Sequence, residues 1–160
     1  MAKQKPENKQ IALNWQFRGI ELVSSSVTNP SVPDLNISAF NFQIEVENRI
    51  NVEEKLTSVI VKVTVTVNDP PLHLGSITTN NVFEIVNLEE IVIKKDNSIT
   101  LPTPVSEMLN SIAISTTRGV MFGQFRGTFL HNAILPIIDP KSLQPNLNPL
   151  SKQELAANKK

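Results

Sequence analysis

His73 and His131 are the only imidazoles in this 160-residue chain, and they are the first place to look for acid–base or metal chemistry. They can act as bases or ligands only if the fold brings them together. Neither has an Asp or Glu at ligand spacing, and the chain contains no cysteine to complete a metal set. A lone, solvated histidine is the simpler reading of each. Ser24–Ser25–Ser26 offers hydroxyls without the Gly-x-Ser-x-Gly frame that lifts a nucleophilic serine onto a sharp turn, so these serines more simply end a strand. Glu89 and Glu90, between Leu88 and Ile91, read as a solvated turn. There is no glycine-rich phosphate loop and no tyrosine. These residues predict a binding protein, not an enzyme, with no cofactor and no metal.

The balance of 15 basic and 15 acidic residues argues against a field that would steer the chain to nucleic acid or to an anionic membrane. The lack of cysteine excludes disulfides and fits a reducing compartment. Lys3, Lys5 and Lys9 precede only a brief apolar stretch, Ile11 to Leu13, broken at Asn14, which is too short for a secretory segment. No run approaches the ~20 apolar residues of a membrane span. The expectation is a cytoplasmic protein with one domain over residues 14–144, flanked by flexible segments at 1–13 and 145–160.

Alternation defines the elements. Trp15 and Phe17 share one parity and Ile20 and Leu22 the other, with Gly19 at the switch, which predicts a strand from Trp15 to Val27 carrying a β-bulge. Pro30 and Pro33 make residues 28–36 a crossover, not a ladder. Phe40, Phe42, Ile44 and Val46 alternate with polar residues, and Val59, Val61, Val63, Val65 and Val67 do so more cleanly, until Asn68–Asp69–Pro70–Pro71 turns the chain. Ile77 to Val86 is a fourth strand, with Ile77, Phe83 and Ile85 on one face. An antiparallel sheet packed on one side follows.

Beyond residue 100 the period changes. Thr103 is placed to cap a helix with Pro104 in its first turn, and Val105, Met108, Leu109 and Ile112 recur at helical spacing up to about Arg126. Gly119, Gly123 and Gly127 fall every fourth residue. They make either a smooth stripe for a paired helix of another subunit, with Arg126 beside it, or the stops of a helix end. Arg118 and Arg126 can fork onto a partner's carboxylates or stand solvated. Asp139 before Pro140 caps a second helix, which Pro145 and Pro149 keep short. Val32, Leu35 and Ile37 in the crossover, and Ile134, Leu135, Ile137 and Ile138 around Pro136, are apolar residues in irregular segments. They either anchor those loops or line a groove.

Arg126–Gly127–Thr128–Phe129, followed by Pro136 and Asp139, resembles the carboxy-terminal signature of the SecB protein-export chaperones. The order of elements over roughly residues 14–143 is similar too. The resemblance implies an α+β fold: a four-stranded antiparallel sheet with a long helix and a short C-terminal helix packed on one face. It also implies a homotetramer, a dimer of dimers, that acts as an ATP-independent holdase for unfolded or nascent polypeptides and keeps them export-competent. Client contacts then map to Val32, Leu35, Ile37, Phe40, Ile134, Leu135 and Ile137. Glu45, Glu47 and Glu84 are the candidate contacts for the motor SecA. Some SecB-like proteins serve as dedicated chaperones of an antitoxin. That role, or a non-catalytic oligomeric adaptor for one protein partner, is the alternative function.

Overall fold

Period-two valines make β3 (Leu56–Asn68) the strand on which the sheet is built. Val59, Val61, Val63 and Val65 are fully buried, while Ser58, Lys62, Thr64 and Thr66 point to the opposite face. A computed structural model, which describes residues 12–31, 39–68 and 71–143, sets β3 between β2 (Asn41–Asn51) and β4 (Pro71–Ile85). β1 (Trp15–Val27) lies outside β4, so the order is β1-β4-β3-β2 and every pairing is antiparallel. Most of the two flanking segments and most of the crossover, with Val32, Leu35 and Ile37, lie outside the described residues.

The registers put apolar residues in rows. Phe42, Ile44 and Val46 of β2 face Val65, Val63 and Val61, and these in turn face Gly75, Ile77 and Thr79 of β4. The bulge expected at Gly19 is present, since the β1–β4 register shifts between Phe17 and Gly19. One extra residue restores Ile20 and Leu22 to the side already taken by Trp15 and Phe17. A second shift lies between Leu22 and Ser24. Trp15 and Phe17 both pack tilted against Phe83, with ring centroids 6.0 and 5.2 Å away. Asn87 clamps the start of β1 by donating to the Ala12 carbonyl and accepting from the Asn14 amide.

α2 (Thr103–Phe125) lies on the valine face and buries Leu109, Ala113, Ile114, Thr117, Met121 and Phe125. It stops one residue before the expected end. Thr103 does not cap it: Pro102 occupies the cap, no side chain serves there, and the first amides bond the Pro102 carbonyl. β4 begins at Pro71, earlier than Ile77, because it pairs with β3 down to Asn68 through a stretch that lacks alternation. Between β4 and α2 lie a single helical turn, α1 (Leu88–Ile91), and a hairpin, β5 (Ile93–Lys95) with β6 (Ser98–Thr100). Glu89 and Glu90 are exposed on α1 while Leu88 and Ile91 anchor it. The hairpin was not expected. Asp96 and Asn97 turn it with φ of 46° and 63°, left-handed values that these two residue types tolerate. The short C-terminal helix is one 3-10 turn (Pro140–Leu143), capped as expected by Asp139, whose Oδ1 accepts from the Lys141 amide at 3.0 Å.

Gly75 is the one glycine that packing requires. A Cβ there would stand 2.6 Å from the Ser26 carbonyl oxygen and 2.8 Å from Leu130 Cδ1, whereas Gly19, Gly119 and Gly123 have nothing within 4 Å. Gly75→Ala should therefore destabilise the protein by about 1–3 kcal/mol in urea unfolding, through overpacking. Gly119→Ala should be neutral or slightly stabilising, because alanine favours the helix. Equal midpoints for the two variants would show that the Ser26–Gly75–Leu130 contact is not tight.

Candidate functional site

The Arg126–Gly127–Thr128–Phe129 run builds the exit from α2. Arg126 is extended, and Gly127 takes φ 81°, a left-handed value suited to glycine. The Thr128 hydroxyl donates to the Phe125 carbonyl at 2.8 Å and accepts from the Leu130 amide at 3.1 Å, while the Thr128 amide also bonds the Phe125 carbonyl. Leu130 is thereby set into the core above Gly75. The glycine stripe divides accordingly: Gly127 is a helix stop, whereas Gly119 and Gly123 face outward from α2 in open space. Phe122, 55% exposed, stands on that same outer face between them.

The chain then runs back along the helix. Arg118 Nε donates to the Leu135 carbonyl at 2.7 Å, and its Nη2 donates to the Pro136 carbonyl at 2.9 Å. Neither expectation for Arg118 anticipated this. Its planar fork is neither solvated nor aimed at a carboxylate but pins the backbone of its own chain. Leu135 and Ala133 are buried and Ile138 is half-buried against the core. Between these anchors Ile134 is 57% exposed and Ile137 is 94% exposed. Among the residues expected to meet a client, Leu135 thus keeps its side chain in the core, Ile134 and Ile137 display theirs, and Phe40 is half-buried at the entry to β2. The 3-10 turn at the far end of the segment packs against β2 and α2.

Glu45, Glu47 and Glu84 all lie on the sheet face opposite α2, as the registers with Lys62, Ile60 and Gln16 require. Each is paired with a cation: Glu45 with Lys62 at 3.4 Å, Glu47 with Arg49 at 2.8 Å, and Glu84 with Arg18 at 3.1 Å. The hydrogen bond from Arg49, and next its charge, hold the Glu47 carboxyl below the usual glutamate range. His73 and His131 are both exposed, on β4 and in the segment after α2, and His131 Nδ1 lies 3.0 Å from the Thr128 carbonyl. Ser26 and Ser76 hydroxyls bond each other across β1 and β4. Among the described residues no group of three or more His, Cys, Asp or Glu side chains is placed to hold a metal ion, and no helix is long and apolar enough to cross a membrane.

An exposed apolar strip on β1 was not among the expectations. Phe17, Ile20, Leu22 and Val27 pair with Phe83, Asn81, Thr79 and Gly75, so they share the face that α2 covers. They nonetheless remain 37–41% exposed.

No protein-family model matches this chain, and no curated protein does. Solved structures do. A SecB-like chaperone of Mycobacterium tuberculosis, solved in complex with a ChAD peptide from the HigA1 antitoxin, aligns with TM-score 0.56 at 12% identity, over 78% of this chain and 89% of that one. A Streptococcus agalactiae protein of unknown function aligns with TM-score 0.36 at 12% identity, over 72% and 90% of the two chains. The chain is a remote structural match to a SecB-like chaperone, and its four-stranded antiparallel sheet with helices on one face is that fold.

The Glu47–Arg49 pair has a pH signature. Because the folded carboxyl titrates below its unfolded value, the stability it contributes is complete above the unfolded value and disappears as pH falls through the folded one. Arg49→Ala should move the Glu47 midpoint upward in an NMR titration. The difference in urea midpoint between wild type and variant should be present at about pH 7 and vanish at about pH 2. A Glu47 midpoint that does not respond to Arg49→Ala would mean the pair does not form.

Proposed function

We propose that this protein is a non-catalytic chaperone of the SecB-like type that holds an extended, apolar segment of a partner polypeptide. The observation that carries the reading is the segment after α2. Its backbone is pinned by Arg118 and Ala133 and Leu135 are buried, yet Ile134 and Ile137 are held out in water. Isolated exposed aliphatics are ordinary, so the reading rests on these two standing close together on one segment whose backbone is held in place. β2 supports the same reading. It pairs with β3 along one edge, its other edge is unpaired among the described residues, and such an edge offers main-chain bonds to an extended chain. Phe40, and from the crossover Val32, Leu35 and Ile37, complete the proposed surface.

A dedicated partner fits better than general delivery to an export motor. The similar M. tuberculosis chaperone was solved with a peptide from an antitoxin. On this chain the three glutamates that resemblance would offer to SecA are each neutralised by a neighbour. Cytoplasmic placement and assembly into a tetramer belong to the same proposal. The exposed strip Phe17, Ile20, Leu22 and Val27, together with Phe122 beside Gly119 and Gly123, is the surface that copies would bury.

Two measurements test this. Ile134→Ser with Ile137→Ser should weaken capture of an apolar peptide by about tenfold or more, since burying an isoleucine is worth about 1.5–3 kcal/mol. The urea midpoint should barely move, because Ile137 is 94% exposed already. Unchanged capture by the folded double variant would remove the site. By sedimentation the protein should have a mass of about 71 kDa, four times 17.7 kDa, and Leu22→Glu with Phe122→Glu should lower it. A 17.7 kDa species at micromolar concentration would defeat the assembly.

A further inference from the structure

The interface between α2 and the sheet is not uniformly apolar, and its polar groups are satisfied unevenly along the helix. Toward the C-terminal half they form a directed chain. Asn81 Nδ2 donates to Thr79 Oγ1 at 3.1 Å, the Thr79 and Thr117 hydroxyls bond at 2.7 Å, and Thr117 donates to the Ala113 carbonyl at 2.7 Å. Since Thr117 spends its proton on Ala113, Thr79 must donate to Thr117, and each bond in the chain reinforces the next. The same half buries Ile114, Met121 and Phe125 and carries the Arg118 fork.

Toward the N-terminal half the accounting fails. Asn110 lies seven residues before Thr117, two turns away and nearly on the same face. Its Oδ1 is buried without a partner among the described residues, as is Thr57 Oγ1 on β3, while Asn81 Oδ1, at the edge of the Thr79–Thr117 chain, is likewise unpaired. Thr57 and Asn81 sit diagonally on β3 and β4, the offset at which cross-strand neighbours approach. Among the described residues the side-chain tie to the sheet here is Asn48 Nδ2 to Ser106 Oγ at 3.3 Å, on the exposed rim. The start of the helix has no side-chain cap, and of its apolar residues Leu109 and Ala113 are fully buried while Val105, Met108 and Ile112 are only partly buried against the core. Separating this half exposes Leu109, Ala113 and the valine face beneath them, but it also returns water to the unpaired Asn110 and Thr57 oxygens, which offsets part of that cost.

We propose that residues 103–113 of α2 open from the sheet as a local unit, while residues 114–125 stay docked and the sheet remains intact. The opening uncovers the inner face of β2 and β3 around Val46, Asn48 and Val59, an apolar strip reached through a polar gate. It is a property of the free chain and does not depend on any client.

Amide hydrogen exchange on the full chain, resolved by NMR at low denaturant, tests it. Amides of Glu107 to Ala113 should exchange about tenfold or more faster than those of Val120 to Phe125 and of β3, with a weak denaturant dependence that marks local opening. Asn110→Leu, which replaces the unpaired amide with an apolar side chain, should slow exchange in the first half by about tenfold and leave the second half unchanged. Uniform protection along α2 with one steep denaturant slope overturns the proposal. So does a folded Asn110→Leu protein whose first half exchanges as in wild type. Should that variant not fold, Ser106→Ala must speed exchange in the first half by about threefold, through loss of the Asn48 bond, and an unchanged rate overturns the proposal equally.

Discussion

Every other feature of this molecule depends on the valine face of β3. A strand whose alternate residues are Val59, Val61, Val63 and Val65 can sit in one register only, because a slip of one residue would bury Lys62 and expose the valines. That register makes one side of the sheet dry and obliges something to cover it. Among the described residues most of the cover is one long helix, helped at its ends by Leu88 and by Leu130 and Leu135 of the segment that follows it. Four strands spaced about 4.8 Å apart span about 14 Å between outer axes, while a helix with its side chains is about 10 Å across. One helix cannot shield the whole face. α2 lies mainly over β3 and β4, so Phe17, Ile20, Leu22 and Val27 on β1 are only partly covered among the described residues. The exposed strip is thus a consequence of sheet width.

Where side chains carry the register, the sequence was readable. The parity switch at Gly19 disclosed the first bulge because large apolar residues flank it on both sides. The second bulge, between Leu22 and Ser24, was not visible for the opposite reason. After it the inward positions pass to Ser25 and Val27, and a serine carries no hydrophobic signal of which way it points. The first residues of β4 escaped similarly, since His73, Leu74 and Gly75 do not alternate and Leu74 is the extra residue of a further register shift. The hairpin of β5 and β6 had a signal that went unread: Asp96–Asn97 is a pair able to adopt two successive left-handed conformations. Its strands of three residues, all exposed, gave no periodicity to go with it.

The candidate site was legible as a place but not as a mechanism. Apolar residues around Pro136 announced either a groove or an anchor, and the structure divides them, with Leu135 inward and Ile134 and Ile137 outward. The partner of Arg118 could not be inferred, because backbone carbonyls have no sequence identity and these lie 17 and 18 residues away. The most recognisable run, Arg126 to Phe129, turns out to position the site rather than to form it. Gly127 and Thr128 reverse the chain so that Leu130 locks over Gly75 and the following residues return along the helix.

That geometry sets a limit on what one subunit can hold. Two isoleucines fixed at the surface contribute at most about 3–6 kcal/mol when a partner buries them. Association costs about 4–15 kcal/mol in lost freedom before any contact is counted. If the segment binds a peptide as proposed, fixing the display reduces the ordering cost on this chain's side, but an extended peptide still loses its own. On the peptide-binding reading, a single segment is therefore too weak to retain a chain. Retention requires either an added strand along β2, whose main-chain bonds extend the contact, or several copies engaging one client at once, which raises the effective concentration of each later contact. The uncovered β1 strip and the unequal anchoring of α2 bear on that same requirement. On the proposed assembly the first is the surface that copies share, and on the proposed opening the second adds apolar surface to the two isoleucines that stand in water.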